Sequence, residues 1–464
     1  MTDLHFKSAL LSSGWQDDIA VSLDNNGLIT SLDTQSSTQA STQSSTLSST
    51  SAHNGFAIAG MPNAHSHAFQ RAMAGLAEFS TNPTDSFWTW RETMYKFSQI
   101  ITPDDLYAIA KYLYMEMLEA GYTSVAEFHY LHHQLNGVAY PNPVQMSMSI
   151  AAAAADTGIA LTLLPVLYMR GGFDDRPLNQ QQRRFQHDVA QYLETVMSVE
   201  SLGIHTGIAF HSLRAVPPEA MMRVLQDDVV QEHADIPIHI HIAEQTAEID
   251  DCLAHTGERP VTWLLDNFKI GANWILVHAT HMTQAETRAL AHTGAVAVIC
   301  PTTEGNLGDG LFPLPVWDQN EGRIAIGSDS HISVDPYEEL RWLEYGQRLS
   351  HRRRTIYAND KNQHTGSRLY QSALRGGAQS VGRQCGEIAV GNMADIVVLR
   401  DDIPAIALAD PKHRLDALIF NPTSKPVKGV FVGGKCVVKD GMHKNHDHIK
   451  QEYFATLKKL LDRF

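Results

Sequence analysis

Eight short apolar runs, at 56–60, 123–128, 160–167, 205–210, 236–242, 274–277, 295–299 and 324–326, alternate along this chain with longer stretches of helical pattern. A strand that is apolar on both faces has to be covered on both, and helices between such strands make the sheet parallel. Eight such units predict an α/β fold of the (β/α)8 TIM barrel type. The segment 104–120 is a representative connector, with Asp104 and Asp105 in its first turn and Gly121 just past its end. Both chain ends are instead β-rich. Near the start, 19–23 and 28–32 flank the turn Asp24-Asn25-Asn26-Gly27, a hairpin signal; near the end, 395–399, 417–420, 427–432 and 437–438 read as short strands. With 464 residues the chain has room for one large barrel and a smaller satellite. Segment 34–52, almost wholly Ser, Thr, Gln and Ala, reads as a flexible inserted loop.

In a parallel barrel, chemistry gathers at the C-terminal ends of the strands, and four of the predicted strands end in groups able to carry it. The first is followed by His65-Ser66-His67, whose two imidazoles, two positions apart, face one point. The fifth reads His239-Ile240-His241-Ile242-Ala243-Glu244, the sixth ends in His278 and the eighth in Gly327-Ser328-Asp329. In a chain with 24 histidines one such pair is a weak signal, whereas four strand ends together point to a divalent metal centre. His129, His132 and His133 read as local structure, and His239 as a hydrogen-bonding residue inside the barrel. A Gly-containing loop at 302–310 follows the seventh strand. Net charge is −15 and no basic run exceeds Arg352-Arg353-Arg354, so a nucleic-acid partner is not expected. The four cysteines make no CxxC pair. No apolar stretch is long enough to span a membrane, and the N-terminus lacks signal-peptide character, so the expected location is cytoplasmic.

His65-Ser66-His67, His241-x-x-Glu244, His278 and Asp329 together resemble the metal-site pattern of the amidohydrolase superfamily. The resemblance implies that His65, His67, His241 and Asp329 bind one divalent metal, Zn2+ first and Fe2+ or Mn2+ next, and that Glu244, His278 and Asp329 are catalytic. The absence of any lysine between Lys111 and Lys269 excludes the lysine-bridged metal pair of some members for strands two to five. Segment 386–395 resembles the return into the small β-sandwich that these enzymes build from both chain ends. The division implied is a β-sandwich from 1–55 and 386–445, a barrel over 56–385 and a C-terminal helix at 446–464. Segments 60–72, 127–133, 211–216 and 300–310 further resemble the deiminases of this superfamily that hydrolyse N-formimino-L-glutamate in histidine degradation. Phe210, where that pattern has proline, departs from it.

Such a small dianionic substrate needs cations or strong donors for its two carboxylates. Arg71, Arg91 and Arg214 lie near strand ends, and arginine offers a planar fork to a carboxylate. By the resemblance, Gln70, Arg91, Tyr130, His211 and Arg214 bind the substrate, and the assembly is a homodimer. The alternatives are a deaminase of a nucleobase or other aromatic amine, which calls for an apolar stacking pocket, and a non-catalytic barrel scaffold.

Overall fold

A computed structural model describes residues 2–34, 53–79, 87–233, 235–422 and 425–464; most of the 34–52 insertion lies outside them. The chain opens with β1 (Thr2–Leu11), β2 (Gly14–Leu23), β3 (Ile29–Thr34) and β4 (His53–Ala59), the hairpin turn falling between β2 and β3 as expected. Eight strands follow in the middle: β5 (Met61–Ser66), β6 (Tyr122–His129), β7 (Ala160–Leu167), β8 (Ile208–Ser212), β9 (Ile238–Ile242), β10 (Trp274–His278), β11 (Val296–Ile299) and β12 (Arg323–Ile326). The chain ends with β13 (Ile396–Leu399), β14 (Val427–Val432), β15 (Lys435–Lys439), β16 (Met442–His443) and the helix His446–Leu461.

Strands β5 to β12 pair in chain order, each parallel to the next, with helices between them. The barrel closes at the site: Ser66 bridges Asp329, the Asp329 amide donates to the His65 carbonyl at 3.0 Å, and the His67 amide donates to the Asp329 carbonyl at 3.1 Å. Gly327 makes this approach possible, since a Cβ there would sit 2.9 Å from the His65 carbonyl oxygen. The two chain ends share a separate eight-stranded sheet, in the order β16-β15-β14-β13-β4-β1-β2-β3.

Two strand assignments from sequence need correction. The run 56–60 lies in β4 of the end sheet, paired antiparallel with β13 through Ile396 and Ala59, and the first barrel strand is β5. Its sequence, Met-Pro-Asn-Ala-His-Ser, hides it, because its buried polar side chains serve the site and Pro62 offers no amide to the ladder, whose register shifts at Met61/Pro62. The other is 417–420, which belongs to the helix Arg414–Phe420: Leu415, Leu418 and Ile419 are its buried face, a spacing of three and four that a four-residue apolar run does not reveal. The connector 104–120 is the helix Pro103–Ala120, capped by a Thr102/Asp105 capping box and ended by Gly121 at φ 107°.

The helix Thr365–Ser380 packs directly on the barrel through glycine. A Cβ at Gly376 would lie 2.0 Å from the Ile324 carbonyl oxygen of β12, a backbone atom that cannot move aside alone. Gly376→Ala is therefore expected to destabilise the fold by about 3 kcal/mol, the upper part of the overpacking range. A lower urea midpoint by circular dichroism checks this, and an unchanged midpoint contradicts the packing described.

Candidate active site

The imidazoles at the C-terminal ends of β5 and β9 converge, His67 lying just past β5. His65 Nε2 lies 3.1 Å from His67 Nε2 and 3.0 Å from His241 Nε2, and Asp329 Oδ1 is 3.5 and 3.4 Å from the first two. His67 Nδ1 contacts the Phe128 carbonyl at 3.0 Å and His241 Nδ1 the His211 carbonyl at 2.8 Å. A carbonyl can only accept, so in each ring Nδ1 carries the proton and Nε2 presents a lone pair. Burial lowers the pKa of all three histidines, favouring the neutral form. Lone pairs aimed together at such spacing repel unless a cation lies among them, and three neutral imidazoles with a carboxylate form a donor set for a divalent transition metal. This trio can hold a metal ion.

Beside it stand three acid–base groups. His278 Nε2 is 3.8 Å from both Glu244 Oε1 and Asp329 Oδ2, while His278 Nδ1 donates to Glu304 Oε1 at 3.2 Å. Burial alone opposes protonation of His278, but Glu244, Glu304 and Asp329 outweigh it and push its pKa up to about 10. Burial likewise pushes the Glu244 carboxyl up to about 7, against the pull of His278. The loops that present these groups are bent sharply: Ala243, His278 and Asp329 have φ of 52°, 69° and 47°, left-handed values that non-glycine residues seldom adopt and that cluster at functional sites.

All five residues expected to bind substrate border one cavity with His67, His241, Glu244, His278 and Asp329. Gln70 Nε2 donates to the Tyr130 hydroxyl at 2.9 Å. The Arg91 guanidinium lies 4.2 Å from the Trp88 ring and 5.5 Å from the Tyr95 ring, and that of Arg214 is 5.8 Å from Trp88. Burial makes Arg91 easier to deprotonate; for Arg214 the same burial is outweighed by Tyr168 and Glu248, which raise its pKa. His211 sits at 4.5 Å, edge-on, from Tyr168, and burial together with Arg214 keeps it neutral. Arg71 is not in this group. It forms a two-pronged ion pair with Glu116, at 2.7 and 2.9 Å, and donates to the His331 carbonyl.

His132 and His133 donate to the carbonyls of Val166 and Gln186, structural roles, and His239, fully buried, donates to the carbonyl of Ser380. Phe210 is buried in β8, and the carbonyl that holds His241 belongs to the next residue. Within 302–310, residues up to Leu307 are not a loop but part of the helix Pro301–Leu307, and Leu307 borders the cavity.

Three carboxylates escaped the sequence reading. Glu304 orients His278. Glu248 accepts the amides of Ala243 and Glu244, both at 3.1 Å, and so holds the turn that presents Glu244. Glu127 accepts from the Ala68 amide, the Ser66 hydroxyl and the Tyr114 hydroxyl, and burial nevertheless pushes it up to about 7. The one available signal was an acidic residue in or just after an apolar strand, a position that needs a partner. His278, Cys300 and Glu304 also form a compact group, but burial and the neighbouring carboxylates hold the Cys300 thiol protonated, so the group reads as support for His278.

Parallel barrel, convergent histidines and strand-end aspartate define a metal-dependent hydrolase architecture, and the amidohydrolase family pattern matches residues 56–437. The chain belongs to the amidohydrolase family. It is 44% identical to a formimidoylglutamate deiminase of Pseudomonas aeruginosa across 100% of both chains. It is 26% identical to an 8-oxoguanine deaminase of the same species, over 83% of this chain and 82% of the other. The crystal structure of an amidohydrolase from Brucella melitensis superposes with a TM-score of 0.90 at 40% identity, covering 99% of this chain and 100% of that one. A zinc-bound adenosine deaminase from Xanthomonas campestris, 20% identical, shares the fold with a TM-score of 0.79 over 99% of this chain and 98% of that one.

In the metal-free protein, His278 is expected to stay protonated through neutral pH and to titrate near 10. Glu304→Gln removes one of the groups that raise this value, so the titration moves to lower pH. Histidine NMR of the metal-free protein follows both, and an unshifted His278 in the variant contradicts the assigned support.

Proposed function

We propose that the protein hydrolyses N-formimino-L-glutamate to N-formyl-L-glutamate and ammonia. The observation that carries this reading is the pair of arginines, half-buried Arg91 and buried Arg214, bordering the same cavity as the metal-ligand histidines. A dianionic tail with an amidine-like head needs cations at one end and hydrolytic groups at the other. An aromatic amine would cover both guanidiniums without offering either of them a carboxylate. The relationship to the Pseudomonas deiminase supports the same substrate.

His65, His67, His241 and Asp329 would hold one divalent ion, Zn2+ fitting this nitrogen and oxygen set, with Fe2+ or Mn2+ as alternatives. When bound, the ion supplies Lewis acidity that makes water acidic enough to attack near neutral pH. Asp329 takes the proton of the attacking water, its Oδ2 also facing His278. Protonated His278, braced by Glu304, donates to the oxygen as the formimino carbon becomes tetrahedral. Glu244, a carboxyl raised toward neutrality, gives its proton to the formimino nitrogen, and the proton held by Asp329 follows to the same nitrogen. As the C–N bond breaks with loss of ammonia, the new hydroxyl returns its proton to Glu244 and becomes the formyl oxygen. Arg91 and Arg214 bind the two carboxylates, and Gln70, Tyr130 and His211 orient the chain between them. The 1–55 and 386–445 satellite, the homodimer and a cytoplasmic location belong to the same proposal; among the described residues no helix is long and apolar enough to cross a membrane.

Ammonia release from zinc-loaded protein is expected with N-formimino-L-glutamate and not with N-formimino-L-aspartate, guanine, cytosine or adenosine. Turnover of a nucleobase without turnover of the first would overturn the substrate. Glu244→Gln should retain its zinc by metal analysis while kcat falls about 10²–10⁴-fold, the usual reach of one general acid–base group. Loss of the zinc instead would make Glu244 a ligand. Stripping the metal with a chelator should abolish turnover, and adding Zn2+ back should restore it.

A further inference from the structure

A buried hydrogen-bond chain runs directly beneath the ligand cluster. Its members come from three strand ends: Asn63 and Ser66 of β5, Ser328 and His331 just after β12, and Glu127 of β6. Asn63 Nδ2 donates to Ser328 Oγ at 2.6 Å, and Ser328 Oγ lies 2.9 Å from His331 Nδ1. His331 Nε2 lies 3.1 Å from Ser66 Oγ, which donates to Glu127 Oε2 at 2.6 Å. The other carboxylate oxygen, Oε1, accepts the Ala68 amide at 2.7 Å.

The direction of every proton in this chain follows from its two ends. An amide nitrogen can only donate, so Ser328 accepts from Asn63 and spends its own proton on His331 Nδ1. A carboxylate can only accept, so the Ser66 proton goes to Glu127 and Ser66 in turn accepts from His331 Nε2–H. The two constraints meet at His331 and require a single tautomer. Ser66 lies between the ligands His65 and His67, Ala68 follows His67, and Ser328 precedes Asp329, so the chain ties together both halves of the seam where the barrel closes.

We propose that Glu127 is a positioning residue for the metal centre. Its charge sets the polarity of the chain Asn63→Ser328→His331→Ser66→Glu127, and that polarity locks the ligand-bearing backbone of β5 against the Asp329 turn. The adjacent Phe128 carbonyl orients His67 as well, so two successive residues of β6 hold the His65–Ala68 segment, one through backbone and one through side chain. The inference rests on the metal reading of the site and not on the substrate, and metal retention tests it whatever the enzyme turns over.

Glu127→Gln keeps the shape and removes the charge. The new amide presents N–H to Ser66 and reverses the chain, leaving the Ser328 proton without an acceptor within it, since Ser328 Oγ would face two donors. Two readouts follow, on full-length protein loaded with zinc on the alkaline side of neutrality. A chelator should strip zinc about 10–100-fold faster from Glu127→Gln than from the parent, the usual effect of losing support behind a ligand. ¹⁵N spectra of histidine-labelled protein, assigned with His331→Gln, should show His331 as the Nε2–H tautomer in the parent and not in the variant. Ser66→Ala cuts the chain but leaves the Ala68 contact of Glu127 and the Asn63–Ser328–His331 half in place, so it should lose zinc faster while His331 keeps its Nε2–H tautomer, and it serves if Glu127→Gln does not fold. Stripping at the parent rate in either folded variant, or a His331 tautomer unaltered in folded Glu127→Gln, overturns the proposal.

Discussion

Closure of the barrel at the Ser66–Asp329 bridge is the constraint on which the rest of this molecule depends. Seven of the eight strand junctions join neighbours in sequence order, and the last must bring β12 back to β5. It does so through two backbone hydrogen bonds, at 3.0 and 3.1 Å, between the residues proposed as metal ligands, His65, His67 and Asp329. The distance between the β5 imidazoles and the Asp329 carboxylate is therefore set by the same bonds that complete the fold. A ligand set spread over such a seam is rigid without relying on long loops, and only glycine at position 327 lets the two backbones come so close.

The charges in the cavity are arranged around that seam. Glu244, Glu248, Glu304 and Asp329 crowd one end, where His278 is the counter-charge, and Arg91 and Arg214 occupy the same cavity with aromatic rings against them. Burial first, and then the neighbouring Asp329 and Glu248 carboxylates, raise the affinity of Glu244 for a proton, which is how it comes to be poised near neutrality. Among the described residues neither Arg91 nor Arg214 forms an ion pair with a carboxylate, and each lies against the Trp88 ring, which favours the charged guanidinium.

Much of the fold and of the site was legible in the sequence, for identifiable reasons. Seven barrel strands are apolar on both faces and so stand out as runs, and His65-x-His67, His241-x-x-Glu244, His278 and Asp329 are visible because ligand chemistry demands those residue types at strand ends. The first barrel strand was not legible, because it gives its apolar character up to Asn63, His65 and Ser66, and its role passed in the reading to the neighbouring run in β4. The run at 417–420 misled because four apolar residues have no measurable period. Arg71, near a strand end but outside the expected substrate set, has its guanidinium on Glu116 of the helix Pro103–Ala120.

The sequence by itself determined the barrel, the identity of the metal-ligand candidates and the chemistry they favour, since strand period, helix caps and ligand spacing are local properties. Only the tertiary structure decided which groups stand behind them. Asn63 and Ser328 are 265 positions apart, as are Ser66 and His331, and Ser66 is 61 positions from Glu127. No local pattern links such residues. They become partners because barrel closure and strand register place their side chains in one buried space, where an unpaired polar group costs about 1–3 kcal/mol and each must therefore find another.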